Sequence, residues 1–209
     1  MNKKDLKTLC ECALFQNSGY AEQKEVFSFS AGEIISTPNG QKQLGIVLSG
    51  RAKAVEEDNE TLLNLFEKGD IFKAAGLFAE SQTCTNVIAE TAVRAVFYSE
   101  EQILSLVAQY PKISENYIRF LADRIAFLNR KISFFSLPST EMRLARYLYC
   151  QAGSEIKISS AKLCLVLSVA RASLYRAFKS LQQQGAITHQ KGKITINDKN
   201  ILKRIYKGE

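Results

Sequence analysis

The residues of this 209-residue chain best suited to a specific chemistry are two arginines, Arg171 and Arg176, in the run Arg171-Ala172-Ser173-Leu174-Tyr175-Arg176. A guanidinium offers a planar fork of donors that matches guanine in the major groove, or a phosphate beside it. Leu174, Phe178 and Leu181 repeat at helical spacing on one face of this stretch. Ala172, Arg176 and Lys179 fall on the opposite face, with Tyr175 beside them and Arg171 in the first turn. A shorter amphipathic stretch precedes it across a three-residue turn, with Leu163, Val166 and Leu167 on one side. A short helix set against one that buries Leu and Phe and shows arginines to solvent is the plan of a helix-turn-helix DNA reader. The alternative is an ordinary helical hairpin with a solvated basic face.

The charge distribution bears on that choice. Residues 1–137 hold 15 Lys/Arg against 17 Asp/Glu, whereas residues 138–209 hold 13 against 4, a net of +9. The excess basicity therefore surrounds the suspected reader, as a footprint for a polyanion would. With 46% hydrophobic residues the chain has material for one or two packed cores. It has no apolar run of about 18 residues, which argues against a membrane span. The charged start, MNKKDLKTLCEC, lacks a signal core, so a cytoplasmic location is expected. The five cysteines (Cys10, Cys12, Cys84, Cys150 and Cys164) are scattered and odd in number, which speaks against a disulfide framework.

The elements that must position the reader follow from periodicity. Residues 4–16 read as a short amphipathic helix. From Val26 to Tyr98 short strands recur with turn signals every eight to twelve residues, among them Ser49-Gly50 and Gly69-Asp70. That pattern predicts an antiparallel sandwich or barrel over roughly residues 20–98, taken as a β-barrel of jelly-roll, double-stranded β-helix type. Helical period returns at Ile103. Ile118, Leu121, Ile125, Leu128, Ile132 and Phe135 then form a 3-4-3-4-3 seam on a helix of about 111–136. Ile at the a positions with Leu at d favours a two-stranded parallel pairing, hence a homodimer; the alternative is packing on the chain's own barrel. Pro138 breaks this helix and marks the expected boundary between a sensory domain, 1–137, and a DNA-binding domain, 138–209. Gly185 stops the reader helix. Residues 186–189 and 193–196 flank Gln190-Lys191-Gly192 as a hairpin, which completes a winged helix-turn-helix. The expected fold class is thus α+β: a barrel with a long dimerisation helix, then a winged reader.

This order of parts resembles the transcription regulators related to the cyclic-AMP receptor protein and the fumarate–nitrate reductase regulator. The residues that carry the likeness are Leu48-Ser49-Gly50-Arg51-Ala52, Gly69-Asp70, Gly76-Leu77-Phe78, the 118–135 seam, Arg143-Leu144-Ala145 and the Arg171–Arg176 spacing. The resemblance implies an effector pocket behind Gly69-Asp70, where Lys73, Ala74, Cys84 and Thr85 fall, completed by Leu128 and Asn129 from the dimer helix. In nucleotide-binding members a glutamate there accepts from the ribose hydroxyl and an arginine holds the cyclic phosphate. Here Ala74 replaces the glutamate and Cys84 the arginine, so cyclic AMP is not expected to bind. The iron–sulfur members need four thiolates, and the haem members need an axial ligand in the sensory half. Cys10 and Cys12 are too few, and the single histidine, His189, lies in the wing, so both groups are disfavoured and no cofactor is identified. Cys84 is either a redox switch or a small pocket-lining residue.

In the reader, the resemblance implies an acidic residue after the first arginine. Ala172 stands there instead and cannot accept from cytosine, although its methyl can meet a thymine methyl. Ser159, Ser160, Ser173, Lys179, Lys191 and Lys193 suit phosphates. Ser168 occupies a turn position that relatives fill with glycine. The expected partners are a palindromic duplex operator, a second copy of the chain, an unidentified small-molecule effector and RNA polymerase. Metal-dependent barrel enzymes need several histidines, and one histidine outside the barrel disfavours catalysis. A ligand-binding or scaffold protein whose basic domain docks RNA or a protein partner is the remaining alternative.

Overall fold

A computed structural model describes residues 1–38, 40–58, 61–80, 85–190 and 192–208. They form two compact units, residues 1–124 and 125–209, whose division falls within one long helix.

The first unit begins with helix α1 (Lys3–Glu11) and continues through β1 (Phe27–Phe29), β2 (Ile34–Ser36), β3 (Gln43–Ser49), β4 (Ala52–Glu56), β5 (Leu62–Phe66) and β6 (Ile71–Phe72). The short helix α2 (Ala74–Leu77), β7 (Thr85–Ala89), β8 (Val93–Ser99), α3 (Glu100–Gln109) and the start of α4 (Pro111–Phe135) follow. The strands build two four-stranded antiparallel sheets, ordered β1-β8-β3-β6 and β2-β7-β4-β5. The chain passes back and forth between them, which is jelly-roll topology. The two sheets remain separate, so of the expected sandwich or barrel the jelly roll takes the sandwich form. Edge strands of two or three residues are too short to carry a ladder from one sheet into the other.

Between the sheets, Val47, Val93 and Ala95 face Ala52, Ala54, Val87 and Ala89, with Phe66 and Phe72 filling the remaining space. Gly50 makes the β3–β4 turn possible. Its φ is +86°, and a Cβ there would lie 2.1 Å from the Ala92 carbonyl oxygen.

A second cluster joins Leu44, Ile46 and Tyr98 of the first sheet to Leu9, Leu14, Phe15, Ile103 and Ile113. Two polar clamps fix the N-terminal segment to it. Asp5, 3% exposed, closes the capping box of α1 with Asn2, and its carboxylate takes both terminal nitrogens of Arg94 at 2.8 Å. Such a buried carboxylate is tolerable only with this bidentate partner. Asn116 Nδ2 donates to the carbonyls of Leu14 at 3.0 Å and Gln16 at 2.8 Å.

The second unit holds the end of α4, then α5 (Thr140–Tyr149), β9 (Glu155–Lys157), α6 (Ser160–Leu167), α7 (Arg171–Gln183), β10 (Ile187–Gln190), β11 (Lys193–Ile196) and α8 (Lys199–Lys207). Its core gathers Leu144, Leu148, Leu163, Leu167, Leu174, Phe178, Leu181, Ile187, Ile194 and Leu202. Phe134 of α4 belongs to this core as well. Side chains of α5 hold the end of α4 and the turn after it: Arg146 Nη1 donates to Ser133 O at 3.1 Å and Arg143 Nε to Leu137 O at 3.0 Å. The expected hairpin is the greater part of a three-stranded sheet, β10-β11-β9. Among the described residues no helix is long and apolar enough to cross a membrane.

Candidate nucleic-acid interface and sensory pocket

The reader is α6, the three-residue turn 168–170, and α7. Ser159 caps α6, its hydroxyl oxygen accepting from the Lys162 N–H at 3.2 Å. At the end of α6, Ser168 adopts φ 52°, ψ 54°, so the turn position does require the left-handed region that glycine favours. Val169 N–H donates to Cys164 O at 3.1 Å and closes the turn. Ala170 at the N-cap of α7 offers no side-chain cap, which leaves first-turn N–H donors available to an anion.

On α7, Leu174, Ala177 and Phe178 are buried, whereas Arg171, Ala172, Tyr175, Arg176 and Lys179 are exposed. The expected face is therefore the solvent face. Its side chains are partly organised. The Arg171 guanidinium lies 6.0 Å from the Tyr175 ring centroid, and the Tyr175 hydroxyl sits 3.3 Å from Ser160 Oγ on α6. Hydrogen bonding to Ser160, and then to Arg171, holds the Tyr175 phenol below its usual range. Arg176 Nη2 donates to Ser173 Oγ at 3.2 Å, so Ser173 orients an arginine as well as facing solvent in part. The i, i+3 spacing of Ser173 and Arg176 is the signal for that contact.

Two further contacts seat α7, and sequence reasoning missed both. The Glu141 carboxylate accepts from Ser180 Oγ at 2.8 Å and Gln184 Nε2 at 2.6 Å, tying the first turn of α5 to the end of α7. His189 of β10 stacks on Phe178, with centroids 4.0 Å apart and planes 16° apart, and burial lowers the imidazole pKa. Lys193 pairs with Glu155 at 2.6 Å on the surface, a weak bond that a phosphate could displace. Lys191 lies outside the described residues.

The sensory candidates are placed differently. Lys73 has φ 58°, and its ammonium donates to Ser36 Oγ at 2.8 Å and Thr37 O at 2.7 Å; desolvation lowers its pKa. Ala74 is buried at the start of α2, its carbonyl accepting from the Tyr117 hydroxyl at 2.8 Å, and burial pushes that phenol up to about 12. Thr85 opens β7, half-buried; Cys84 lies outside the described residues. Leu128 and Asn129 are exposed and belong to the second unit. Along the α4 seam, Ile118, Ile125, Leu128, Ile132 and Phe135 are 45–68% exposed, whereas Leu121 packs in part against the first unit's core.

Comparison with known proteins accords with this architecture. Residues 26–110 match the cyclic nucleotide-binding domain model and residues 142–205 the Crp-like helix-turn-helix domain model. The CRP-like cAMP-activated global transcriptional regulator of Mycobacterium tuberculosis is 23% identical over 176 residues, covering 78% of this chain and 79% of that protein. The CRP-like protein Clp of Xanthomonas euvesicatoria is 28% identical over 170 residues, covering 72% and 73%. Among solved structures, a mutant of CooA from Carboxydothermus hydrogenoformans shares the fold with a TM-score of 0.66 at 20% identity, covering 88% of each chain. CprK complexed with OCPA does so with a TM-score of 0.70 at 15% identity, covering 87% of this chain and 89% of that one. A nucleotide-binding-type sandwich followed by this reader places the chain in the family of transcription regulators related to the cyclic-AMP receptor protein and the fumarate–nitrate reductase regulator.

Proposed function

We propose that this regulator works in the cytoplasm as a homodimer that reads a palindromic operator. The α4 face bearing Ile118, Ile125, Leu128, Ile132 and Phe135 pairs with its copy and sets the two α7 helices roughly 34 Å apart, one turn of duplex. Arg171 and Arg176 contact base edges or the phosphates beside them, and Ala172 meets an apolar base edge. Ser159, Ser160, Ser173, Tyr175, Lys179, Lys191 and Lys193 fix the register through phosphates. The observation that carries this reading is the division of α7: every core-directed residue is apolar, and both arginines and Tyr175 stand exposed. RNA polymerase is the further partner of such a regulator, and the chain itself catalyses nothing.

The sensory sandwich responds to something other than cyclic AMP. Ala74 brings no carboxylate for a ribose hydroxyl, Cys84 brings no guanidinium, and the Lys73 ammonium is already held by Ser36 and Thr37. Titration calorimetry with cyclic AMP should give no low-micromolar binding.

The deciding experiment is selection of bound duplexes from a random pool, repeated with Arg171→Ala and Arg176→Ala. The wild type should return a palindromic consensus. Each variant should lose roughly 5- to 150-fold for that sequence, the equivalent of about 1–3 kcal/mol for a bidentate base contact. Equal affinity for random and selected duplexes, or both arginines proving dispensable, would overturn the assignment.

A further inference from the structure

The sandwich also carries a cleft of about 560 Å³ apart from Ala74 and Thr85, among β1, β2, β3, β8 and the start of α3. Its apolar wall is Phe27, Phe29, Ile34 and Phe97, and Lys24 and Gln102 are among its polar lining. The volume lies in the range of small-molecule sites, about 300–1,000 Å³. Strand residues of this kind normally disappear into a core, yet Phe27 is 43% and Ile34 56% exposed, and both line the same concavity. The wall is ordered. Phe97 meets Phe27 edge to face at 5.5 Å and Phe29 at 6.3 Å, and its ring continues to Phe72 of the inter-sheet core at 5.8 Å.

Lys24 and Gln102 are the donors that reach the lining. Lys24 Nζ rests 4.7 Å from the centroid of Tyr98, a ring on the other face of the first sheet, from which the ammonium swings to meet a ligand in the cleft; among the described residues no carboxylate lies within ion-pair distance of it. The ring thus steadies a cation without neutralising it. Gln102 Oε1 is engaged by the Ser99 N–H at 3.1 Å in the α3 capping box, which leaves the amide NH₂ to donate elsewhere. Glu25 shares the lining, but it is exposed and its charge is screened by water.

We propose that this cleft binds a compact organic anion with an aromatic or branched apolar body, its ring against Phe27, Phe97 and Ile34 and its acid group on Lys24 and Gln102. Ser36 and Thr37 also line the cleft, and they are the two groups that hold Lys73. A ligand there touches the support of α2 without entering the region where a nucleotide would lie. The proposal does not depend on DNA reading, and operator binding is measured separately.

The test is fluorescence titration of the full chain with two probes of one ring system, anionic anilinonaphthalene sulfonate and neutral N-phenylnaphthylamine. Ile34→Ser should weaken both about tenfold, since it removes apolar contact area. Lys24→Gln should weaken the sulfonate about five- to tenfold and leave the neutral probe unchanged. Phe27→Ala is the second wall variant, and melting curves establish that each variant is folded. Failure of the wild type to bind the sulfonate, or folded wall variants with unchanged affinity, would overturn the site. Lys24→Gln affecting both probes equally, or neither, would overturn the anionic ligand class.

Discussion

The arginines of α7 and the lysine that precedes α2 are both cations in regions tied to binding by the family plan, yet they sit in opposite circumstances. Arg171 and Arg176 are exposed, and their internal partners are a ring face and a serine hydroxyl. Lys73 turns its ammonium inward onto Ser36 and Thr37. The first arrangement gives up weak contacts for phosphate or base at little cost. The second must break two hydrogen bonds before a ligand gains a charge. A cation beside an inherited pocket is therefore no sign of anion binding; what it already holds decides that.

On the proposed dimer, the largest effect should come from separating two copies. Ile125→Asp puts a like-charged pair into the seam, where burying unpaired charge costs about 3–5 kcal/mol. Sedimentation should show monomer, and operator affinity should fall by about 100-fold or more. A dimer of unchanged affinity would mean that the exposed stripe has another role. Lys73→Gln tests the inward-facing cation. It should leave operator affinity unchanged and lower stability to denaturant by about 1 kcal/mol, the usual loss for part-exposed hydrogen bonds.

A pH scan sharpens the reader side. Burial lowers the His189 pKa in the fold, so the unfolded chain binds more protons between that value and its own pKa, about 6.5. Stability of the second unit should rise with pH across that window and fall on acidification through it. Melting curves of His189→Gln should lack this slope. The smallest effect belongs to Ser168→Gly, which relieves a left-handed serine by up to about 1 kcal/mol and should raise the melting temperature by up to about 3 °C.

The reader was legible because a 3.6-residue period settles which side chains a helix buries, and Leu174 and Phe178 against Arg171 and Arg176 leave no ambiguity. Gly185, left-handed at φ 71°, was legible as the stop of the reader helix, whereas Ser168 was marked only by the family likeness, which puts glycine at that turn. The seam was readable as apolar, but not what covers it; Leu121 leans on its own unit while its neighbours stay exposed. Strand β9 was hidden because Glu155–Lys157 is too short to show alternation and pairs with β11, far along the chain. Helix α8 carries its own signal, an Asp198 cap before apolar residues at 201, 202, 205 and 206, and the hairpin reading stops short of it. The cleft was illegible. Alternation in β1 and β2 marks Phe27 and Ile34 as apolar strand residues, and only the assembled sandwich shows that the described residues leave both part-exposed.

The clamps on the N-terminal segment bear on how the chain is made. Arg94 lies 89 residues beyond Asp5, and Asn116 lies 102 beyond Leu14. At ribosomal rates of about 5–20 residues per second, the first helix waits roughly five to twenty seconds for the groups that hold it. Throughout that interval Leu9, Leu14 and Phe15 have no finished core to enter. Within this unit, the earlier segment therefore gains its clamps only after most of the unit has been made.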